Sequence, residues 1–434
     1  MTKPSRYVRR LFELRHPASR QEIFRNVMRR LDERLTPDLM AASMRPDDIC
    51  DPGMVRLPVP ASRPDRSRPL RIAWVTTPPG KGSGGHTTMF RMVEALEAAG
   101  HECILALHNP HGSDLSARTQ IIREGWPTVR ARVASLPEGL EGADAAIATA
   151  WQTAHALAKH GTAPLRRLYF VQDYEPLFYP RGSEAALAEL SYRFGYRTIA
   201  LGDMVADHLR REIGLDPDVI PFGCDTDVYR FSDTPGRSGV VFYTVPGAAR
   251  RGYLLSLLAL QQFHGEHPDQ PIHAYGGTKQ VRLPFPVVWH GRVTPAELNA
   301  LYNRSIAGLA MSFTNISLVA EEMLAAGCIP VVNDSADARA DLPNPHVAWT
   351  SPTPQAIAAR LGALIESGDT LARVAEAAAS ARRGWTPAQT GLLRIVEDEV
   401  YGESPSDTAS EGPSHGTSED MRRTDDCGTT PERP

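Results

Sequence analysis

The chain has 434 residues, of which 42% are hydrophobic and 23% are charged, and its formal net charge is -4. This composition excludes a disordered polyelectrolyte, allows about two to three globular domains, and gives no overall attraction to nucleic acid. Its five cysteines lack the close spacing of a zinc site or a disulfide framework, so we expect a reducing, cytoplasmic environment and no bound metal or cofactor.

Residues 1–69 are predicted to form a basic helical segment followed by a linker. Residues 1–35 carry ten Lys or Arg and four acidic residues, with apolar side chains at helical spacing. Such a helix can lie on an anionic membrane, or it can pack on the protein with its arginines in water. Five prolines in residues 51–69 favour a linker. No apolar run suits a signal peptide or a spanning helix, so we expect a cytoplasmic protein, with peripheral contact at the inner face of the plasma membrane left open.

Two series of short apolar strands and amphipathic helices follow. Residues 70–230 and residues 231–401 each alternate between the two patterns, which predicts an α/β chain with two Rossmann-like domains and parallel sheets. Ligands of such sheets bind at the carboxyl ends of the strands, so a cleft between the domains is the expected site. The last helix before residue 401 is a candidate to cross back to the first domain. Residues 402–434 have hardly any apolar side chains and are predicted to be disordered.

The first candidate site is a glycine-rich turn from Gly80 to His86, between a strand ending near Thr77 and a helix expected to start close to Thr87. Glycines allow close approach of a ligand, and a helix start favours an anion. We assign Gly84 and Gly85 to the binding of a substrate that donates a group, and His86 to the side of the substrate that accepts it. A turn that merely connects the strand and the helix is the alternative.

The second candidate is the end of the strand that leads to Gln172, Asp173 and Glu175. Asp173 and Glu175 alternate along extended chain and can face one side, where they would position an acceptor hydroxyl or act as a base. We therefore assign both as catalytic and Gln172 to the acceptor side. The alternative is that the two acids cap the next helix or pair with surface arginines.

The third candidate is Arg250-Arg251-Gly252, at the predicted start of the first helix of the second series. Two guanidinium groups match a diphosphate, because each offers a planar fork of donors. Cations disfavour a helix start unless an anion lies between them, so we assign Arg250 and Arg251 to donor binding. A solvated surface pair is the alternative.

The fourth candidate is the segment from Thr314 to Asp334, which predicts a loop, a helix from about Ser317 to Gly327, and a buried strand. The helix start can receive phosphates, and Glu322 in its second turn can accept hydrogen bonds from a ribose diol. The alternative is an ordinary surface acid. The donor side further includes Leu318 beside Ser317, and Gly291 at the end of a predicted strand.

These residues resemble a known family. The sequence E-M-L-A-A-G-x-x-P-V-V, from Glu322 to Val332, resembles the donor-site signature of family 4 glycosyltransferases, which have the GT-B fold. The GSGGHTTMFRMVEALEAAGHE and QDYEPLFYPRGSE stretches, and PFGCD at residues 221–225, are similar to the WsaF-like rhamnosyltransferases of surface-glycan assembly. The resemblance covers about residues 70–400.

The resemblance implies specific roles and also shows departures. The second Glu of the family's Glu-x7-Glu signature binds the ribose and maps onto Glu322, whereas the first maps onto Thr314. Val245 replaces the first residue of the family's basic pair, Arg251 matches the second, and Arg250 is in place to compensate. Family members retain anomeric configuration, use no bound metal, and let the donor phosphate take the acceptor proton. Asp225-Thr226-Asp227 spells D-x-D but lies between the domains, so we interpret it as structural.

The sequence thus predicts a glycosyltransferase that moves a sugar, by resemblance rhamnose from dTDP-rhamnose, to a glycan or lipid-linked glycan acceptor. Two other classes remain open. A nucleotide-sugar 2-epimerase shares the fold but needs several acid–base groups in the cleft, where this chain offers Asp173, Glu175 and His290 without clear pairing. A non-catalytic binding protein of the same fold would explain the departures at Thr314 and Val245.

Overall fold

The computed structural model describes residues 44–80, 82–110, 114–233, 236–246, 249–277, 280–316, 318–367, 370–381 and 384–402. The predicted basic helix at residues 1–35, residue Ser317 and residues 403–434 of the predicted tail lie outside these ranges. Among the described residues, no helix combines the length and the apolar character needed to cross a bilayer.

The first domain is built on a seven-stranded sheet in which every neighbouring pair is parallel. Its strand order is β3-β2-β1-β4-β5-β6-β7. The central strands are buried almost throughout, because helices cover both faces. The strands are β1 (Arg71–Thr76), β2 (Glu102–Leu107), β3 (Arg132–Ser135), β4 (Ala145–Ala148), β5 (Arg166–Val171), β6 (Arg197–Leu201) and β7 (Asp218–Ile220).

Helices connect these strands and pack on both faces of the sheet. They are α1 (Gly84–Ala98), α2 (Leu115–Gly125), α3 (Leu136–Leu140), α4 (Trp151–His160), α5 (Ser183–Leu190) and α6 (Asp203–His208), which continues into a π-helical turn at Leu209–Ile213. Short 3-10 turns form at Pro46–Asp48, Glu175–Phe178 and Ser191–Arg193.

The second domain has a six-stranded parallel sheet of order β10-β9-β8-β11-β12-β13. Its strands are β8 (Val240–Thr244), β9 (Ile272–Gly276), β10 (Val288–Gly291), β11 (Ala307–Leu309), β12 (Ile329–Asn333) and β13 (Ala348–Thr350). Its helices are α7 (Tyr253–Glu266), α8 (Pro295–Arg304), α9 (Leu318–Ala325), α10 (Ala336–Asp341), α11 (Pro354–Glu366), α12 (Thr370–Ser380) and α13 (Thr386–Tyr401).

Each sheet places its first strand in the middle, so the strand order reverses beside β1 and beside β8. Such reversal points open a crevice at the carboxyl ends of the strands. The prediction of two parallel α/β domains is therefore confirmed. The sequence pattern missed β3, β7 and β13, which are short edge strands that are only partly buried and therefore have no distinct apolar run.

The last helix returns to the first domain. α13 packs on α1, β5 and β7, and its Leu392, Ile395 and Val396 belong to the apolar cluster of the first sheet. The proline-rich segment before β1 packs against the end of the same helix, since Arg63 donates hydrogen bonds to the carbonyl oxygens of Asp398 and Glu399. The chain thus crosses between the domains twice, which limits their relative motion.

A second contact joins the domains at α6 and α10. The Asp341 Oδ1 atom of α10 accepts hydrogen bonds from the backbone N–H groups of Asp203, at 2.6 Å, and Met204, at 3.3 Å. A carboxylate at a helix start satisfies free N–H groups and offsets the helix dipole. Beside it, His208 Nε2 lies 3.1 Å from Asp337 Oδ2. One domain therefore caps a helix of the other.

Gly202 makes this cap possible. Its φ is 90°, and an added Cβ atom would lie 2.5 Å from Asp341 Oδ1. A side chain there would strain the backbone and push Asp341 away from the helix that it caps.

We expect Gly202→Ala to lower the thermal unfolding midpoint by several degrees more than Gly195→Ala. Gly195 also has positive φ, at 73°, but open space at the Cβ position, so it controls for backbone strain alone. The difference should correspond to about 1–3 kcal/mol for the lost contacts. Differential scanning calorimetry of both variants measures it, and equal midpoints would show that the interdomain cap contributes nothing.

Candidate functional site

A cavity of about 600 Å³ lies between the two domains. Both sheets open into it, because the lining includes Thr76 and Thr77 at the end of β1 and Leu309 to Met311 at the end of β11. All the described candidate residues but one line it: Gly84, Gly85, His86, Gln172, Asp173, Glu175, Arg250, Arg251, Leu318 and Glu322. Gly291, with φ 66°, ends β10 outside this lining, and Ser317 lies outside the described residues.

The glycine-rich turn presents a helix start to the cavity. α1 begins at Gly84, three residues before the predicted start, and Ser83 makes no side-chain cap. The Ser83 hydroxyl instead lies 2.7 Å from His86 Nδ1, while His86 Nε2 lies 3.1 Å from the carbonyl oxygen of Thr77. A carbonyl only accepts, so Nε2 carries the proton and Nδ1 accepts from Ser83. Burial lowers the pKa of His86, so it is neutral and both ring nitrogens are already engaged.

Asp173 crosses the cleft to the second domain. Its carboxylate accepts hydrogen bonds from the Thr314 hydroxyl, at 2.9 Å, and the Asn315 backbone N–H, at 3.2 Å, and it lies 3.4 Å from Arg250 Nη1. Burial raises the pKa of Asp173, while the charge on Arg251, the Thr314 hydroxyl and the charge on Arg250 oppose that shift. Asp173 is only 5% exposed, so these contacts between the domains lie away from solvent.

Glu175 lies on the first-domain wall, in the short turn after β5. Its carboxyl group accepts a hydrogen bond from the backbone N–H of Trp151, at the start of α4. Burial raises the pKa of Glu175 to about 8, and the neighbouring charge of Asp173 adds to the effect. Near pH 7 the group is therefore mostly protonated and can donate a hydrogen bond into the cavity. The two predicted catalytic acids thus differ. Asp173 forms hydrogen bonds across the cleft, whereas Glu175 is mostly neutral at the wall of the cavity.

Arg251 is anchored within the second domain. It donates hydrogen bonds to the Ser312 hydroxyl, at 2.6 Å, to the Asn315 carbonyl, at 2.8 Å, and to Asn315 Oδ1, at 3.1 Å. Burial, followed by the charge on Arg250, lowers the pKa of Arg251 to about 10. These bonds fix the loop that leads into α9. Arg251 therefore fixes the conformation of this loop and also lines the cavity.

Arg250 is more open to the cavity than Arg251. Its side chain is 45% exposed and stacks over the Phe178 ring with 4.5 Å from the guanidinium carbon to the ring centroid. Both arginines lie in a 3-10 turn, Ala249–Arg251, and Gly252 with φ 63° separates them from α7, which begins at Tyr253. The two arginines were expected at the helix start and instead lie in the short turn that precedes it.

Glu322 lies on α9 in the second turn, as the sequence predicted. No described residue forms a hydrogen bond with its carboxyl group, although burial and the charge of Asp225 raise its pKa to about 7. Arg91 of α1 pairs with Asp225 and stacks over Trp385, so the D-x-D segment is tied to the interdomain junction. A half-buried carboxyl group without a hydrogen-bond partner among the described residues, at the wall of a cavity, suits a ligand that brings its own donors.

Sequence reasoning missed Asn315 and Phe178. Asn315 joins the domains, because its Nδ2 donates to the Gln172 carbonyl oxygen, at 2.7 Å, while its own carbonyl holds Arg251. The only sequence signal was a polar residue just before a predicted helix. Phe178 lies in a proline-containing turn that carries no periodic pattern. Among the described residues, no group of three or more His, Cys, Asp or Glu side chains is arranged to hold a metal ion.

Two family models match the chain. Residues 130–204 match the WsaF N-terminal domain, and residues 238–362 match the WsaF C-terminal domain. The first match includes the Asp173 and Glu175 turn, and the second includes the Arg250 turn and α9.

The chain is also similar to a curated protein, the O-antigen biosynthesis protein RfbC of Myxococcus xanthus. The two are 32% identical over 341 residues, which cover 74% of this chain and 26% of RfbC. The chain thus matches about a quarter of the length of that relative.

Solved structures share the fold at low sequence identity. A sucrose-phosphate synthase from Thermosynechococcus elongatus matches with a TM-score of 0.55 and 15% identity, over 75% of this chain and 97% of that chain. A glycosyltransferase from Rickettsia africae matches with a TM-score of 0.54 and 13% identity, over 77% and 100%. These likenesses identify the architecture as GT-B. In this architecture, residues 130–204 of the first domain are similar to the WsaF N-terminal domain and residues 238–362 of the second to the WsaF C-terminal domain.

Proposed function

We propose that this protein is a glycosyltransferase that takes a sugar from a nucleotide-activated donor and transfers it to an acceptor in cell-surface glycan synthesis. The observation that carries the proposal is one interdomain cavity with Glu322, Arg250 and the α9 start on one wall and the α1 start, Asp173 and Glu175 on the other. The relationship to an O-antigen biosynthesis protein supports the acceptor class.

The second domain has the groups that a nucleoside diphosphate requires. The unpaired carboxyl group of Glu322 can accept both hydrogen bonds of a ribose diol once it is ionised. Arg250 offers its guanidinium group to the diphosphate, and α9 starts at the same cavity, where the helix dipole favours an anion. Arg251 holds that loop in place through Asn315. The donor would therefore lie along α9 with its sugar toward Asp173.

Transfer with retention requires no protein nucleophile if the acceptor hydroxyl attacks on the face from which the diphosphate leaves. The leaving phosphate oxygen takes the acceptor proton, while Arg250 stabilises the developing negative charge. The protein then contributes mainly through positioning, for which effective molarities can be large. Protonated Glu175 donates a hydrogen bond to an acceptor oxygen, and Asp173 keeps the two walls at a fixed separation.

We further propose dTDP-rhamnose as the donor and a glycan or lipid-linked glycan as the acceptor. The support is the resemblance of residues 70–400 to the rhamnosyltransferases of surface-glycan assembly. Product analysis by mass spectrometry, with dTDP-rhamnose and a membrane extract as the acceptor source, tests the proposal. Transfer of a deoxyhexose is expected. Recovery of an epimerised nucleotide sugar, or of unchanged donor under all conditions, would overturn it.

We expect Glu322→Ala to raise the donor KM by at least tenfold, because a charge-assisted hydrogen-bond pair to the ribose contributes about 1.5–3 kcal/mol. Steady-state kinetics measures the change. Glu376→Ala, which removes an exposed acid from α12, is the matched control and should behave as the parent protein. Equal donor KM values in the two variants would exclude the ribose role of Glu322.

Donor affinity should also depend on pH through Glu322. The pKa of Glu322 is raised to about 7, so the carboxylate that accepts both ribose hydroxyls is lost as the pH falls below 7. Calorimetric donor binding is expected to weaken from pH 8 to pH 6, and Glu322→Gln should flatten the profile. An unchanged pH profile in the Gln variant would assign the dependence to another group.

Replacing Arg250 and replacing Arg251 are expected to have different effects, the first on ligand binding and the second on the unfolding midpoint. Arg250→Ala is expected to weaken nucleoside diphosphate binding about tenfold with little change in the unfolding midpoint, because its side chain is partly exposed. Arg251→Ala should lower the midpoint by several degrees, since it leaves Ser312 and Asn315 without their buried donor. Calorimetric binding and thermal unfolding of both variants measure this. An unchanged midpoint in Arg251→Ala would contradict the anchoring role.

A further inference from the structure

A second cavity, of about 650 Å³, lies on the C-terminal domain outside the interdomain cleft. It is bounded by the end of β10, by α8 and by the segment around Arg230. The linings of the two cavities have no residue in common. Its volume falls within the range of about 300–1,000 Å³ that small-molecule sites occupy. It can therefore be considered as a site of its own.

The walls of this cavity are strongly basic. They carry the side chains of Arg230, Arg292 and Arg304 together with His290. The guanidinium groups of Arg230 and Arg304 form no hydrogen bond or ion pair within the described part of the chain. Glu297 is the acidic residue of the lining, and its carboxylate accepts hydrogen bonds from the Thr294 backbone N–H, at 2.7 Å, and hydroxyl, at 2.9 Å. The guanidinium groups of Arg230 and Arg304 therefore have no carboxylate partner among the described residues of the lining.

The position of Arg230 is fixed by two asparagines of α8. Asn299 Oδ1 accepts the Arg230 backbone N–H at 3.1 Å, and Asn303 Nδ2 donates to the Arg230 carbonyl oxygen at 2.9 Å. Asn303 Oδ1 also accepts the Ser232 N–H at 2.7 Å, and the Asn303 residue is only 4% exposed. These bonds hold the Arg230 backbone against the helix that ends in Arg304. The two arginines are thus set around one cavity before any ligand arrives.

A pair of histidines reports the local electrostatics. His273 Nδ1 and His290 Nε2 are 3.0 Å apart, which places one proton between them. Burial is the main cause of the lowered pKa of both rings, and the positive charge of Arg304 lowers each of them further. Arg304 therefore lies close enough to this pair to disfavour a positive charge on either ring.

We propose that this cavity is a binding site for a small ligand that carries phosphate groups, separate from the donor site in the cleft. Guanidinium groups bind phosphate oxygens through two parallel hydrogen bonds, and a ligand of negative charge would neutralise the guanidinium groups of Arg230 and Arg304. Backbone anchoring by Asn299 and Asn303 reduces the ordering cost of binding. The inference does not depend on the reaction proposed for the cleft.

Inorganic pyrophosphate is the probe, titrated calorimetrically into the full chain at fixed ionic strength. Arg230→Ala/Arg304→Ala is expected to weaken binding at least tenfold. The matched control is Arg360→Ala/Arg394→Ala, which removes the same charge from exposed positions on α11 and α13 and should retain the parent affinity. Circular dichroism and the unfolding midpoint establish that each variant is folded.

The same titrations are repeated in an Arg250→Ala background, which weakens the anion site of the cleft. The tenfold difference in pyrophosphate affinity between Arg230→Ala/Arg304→Ala and the control Arg360→Ala/Arg394→Ala is expected to persist in this background. Equal affinity of the two pairs would overturn the proposal, as would binding that disappears with Arg250→Ala alone. Failure of sugar transfer in the product assay would leave these binding results unaffected, so the two proposals are tested separately.

Discussion

The carboxylate of Asp173 is the charge on which the arrangement of the cleft depends. It leaves the first domain after β5 and is received in the second by the Thr314 hydroxyl, the Asn315 N–H and Arg250. Its burial makes these bonds necessary, because an isolated ionised carboxyl group is costly in a protein interior. By satisfying it, the second domain fixes the loop before α9 and the orientation of Arg250. The donor wall and the acceptor wall are thereby held at one separation.

This contact also gives a physical reason for the threonine at position 314. The family signature has a glutamate there, whereas the Thr314 hydroxyl donates a hydrogen bond to Asp173 at 2.9 Å. A second carboxylate placed beside Asp173 would repel it. The carboxyl group at this point of the cleft is therefore that of Asp173, from the facing domain. Arg251 supports the same arrangement from within the second domain, because it donates hydrogen bonds to Ser312 and Asn315.

Much of the fold followed from the sequence, because strands buried on both faces have continuous apolar runs and their helices have a clear period. The short edge strands β3, β7 and β13 lack that signal. In the site, Glu322 and the glycine turn could be located from local patterns alone. The partners of Asp173 could not, since Thr314 and Asn315 are more than 140 residues away along the chain. The anchoring of Arg251 was hidden for the same reason, as was the basic pocket around Arg230, which is assembled from three separate segments.

We propose that a nucleoside diphosphate lies in the cleft, along α9, with its ribose on Glu322. A crystal structure of the protein soaked with dTDP measures this most directly. The ribose hydroxyls are expected to lie within hydrogen-bond distance of the Glu322 carboxylate, and the diphosphate is expected to contact Arg250 and the loop before α9. Nucleotide density outside the interdomain cavity, or a bound nucleotide whose ribose does not contact Glu322, would contradict it.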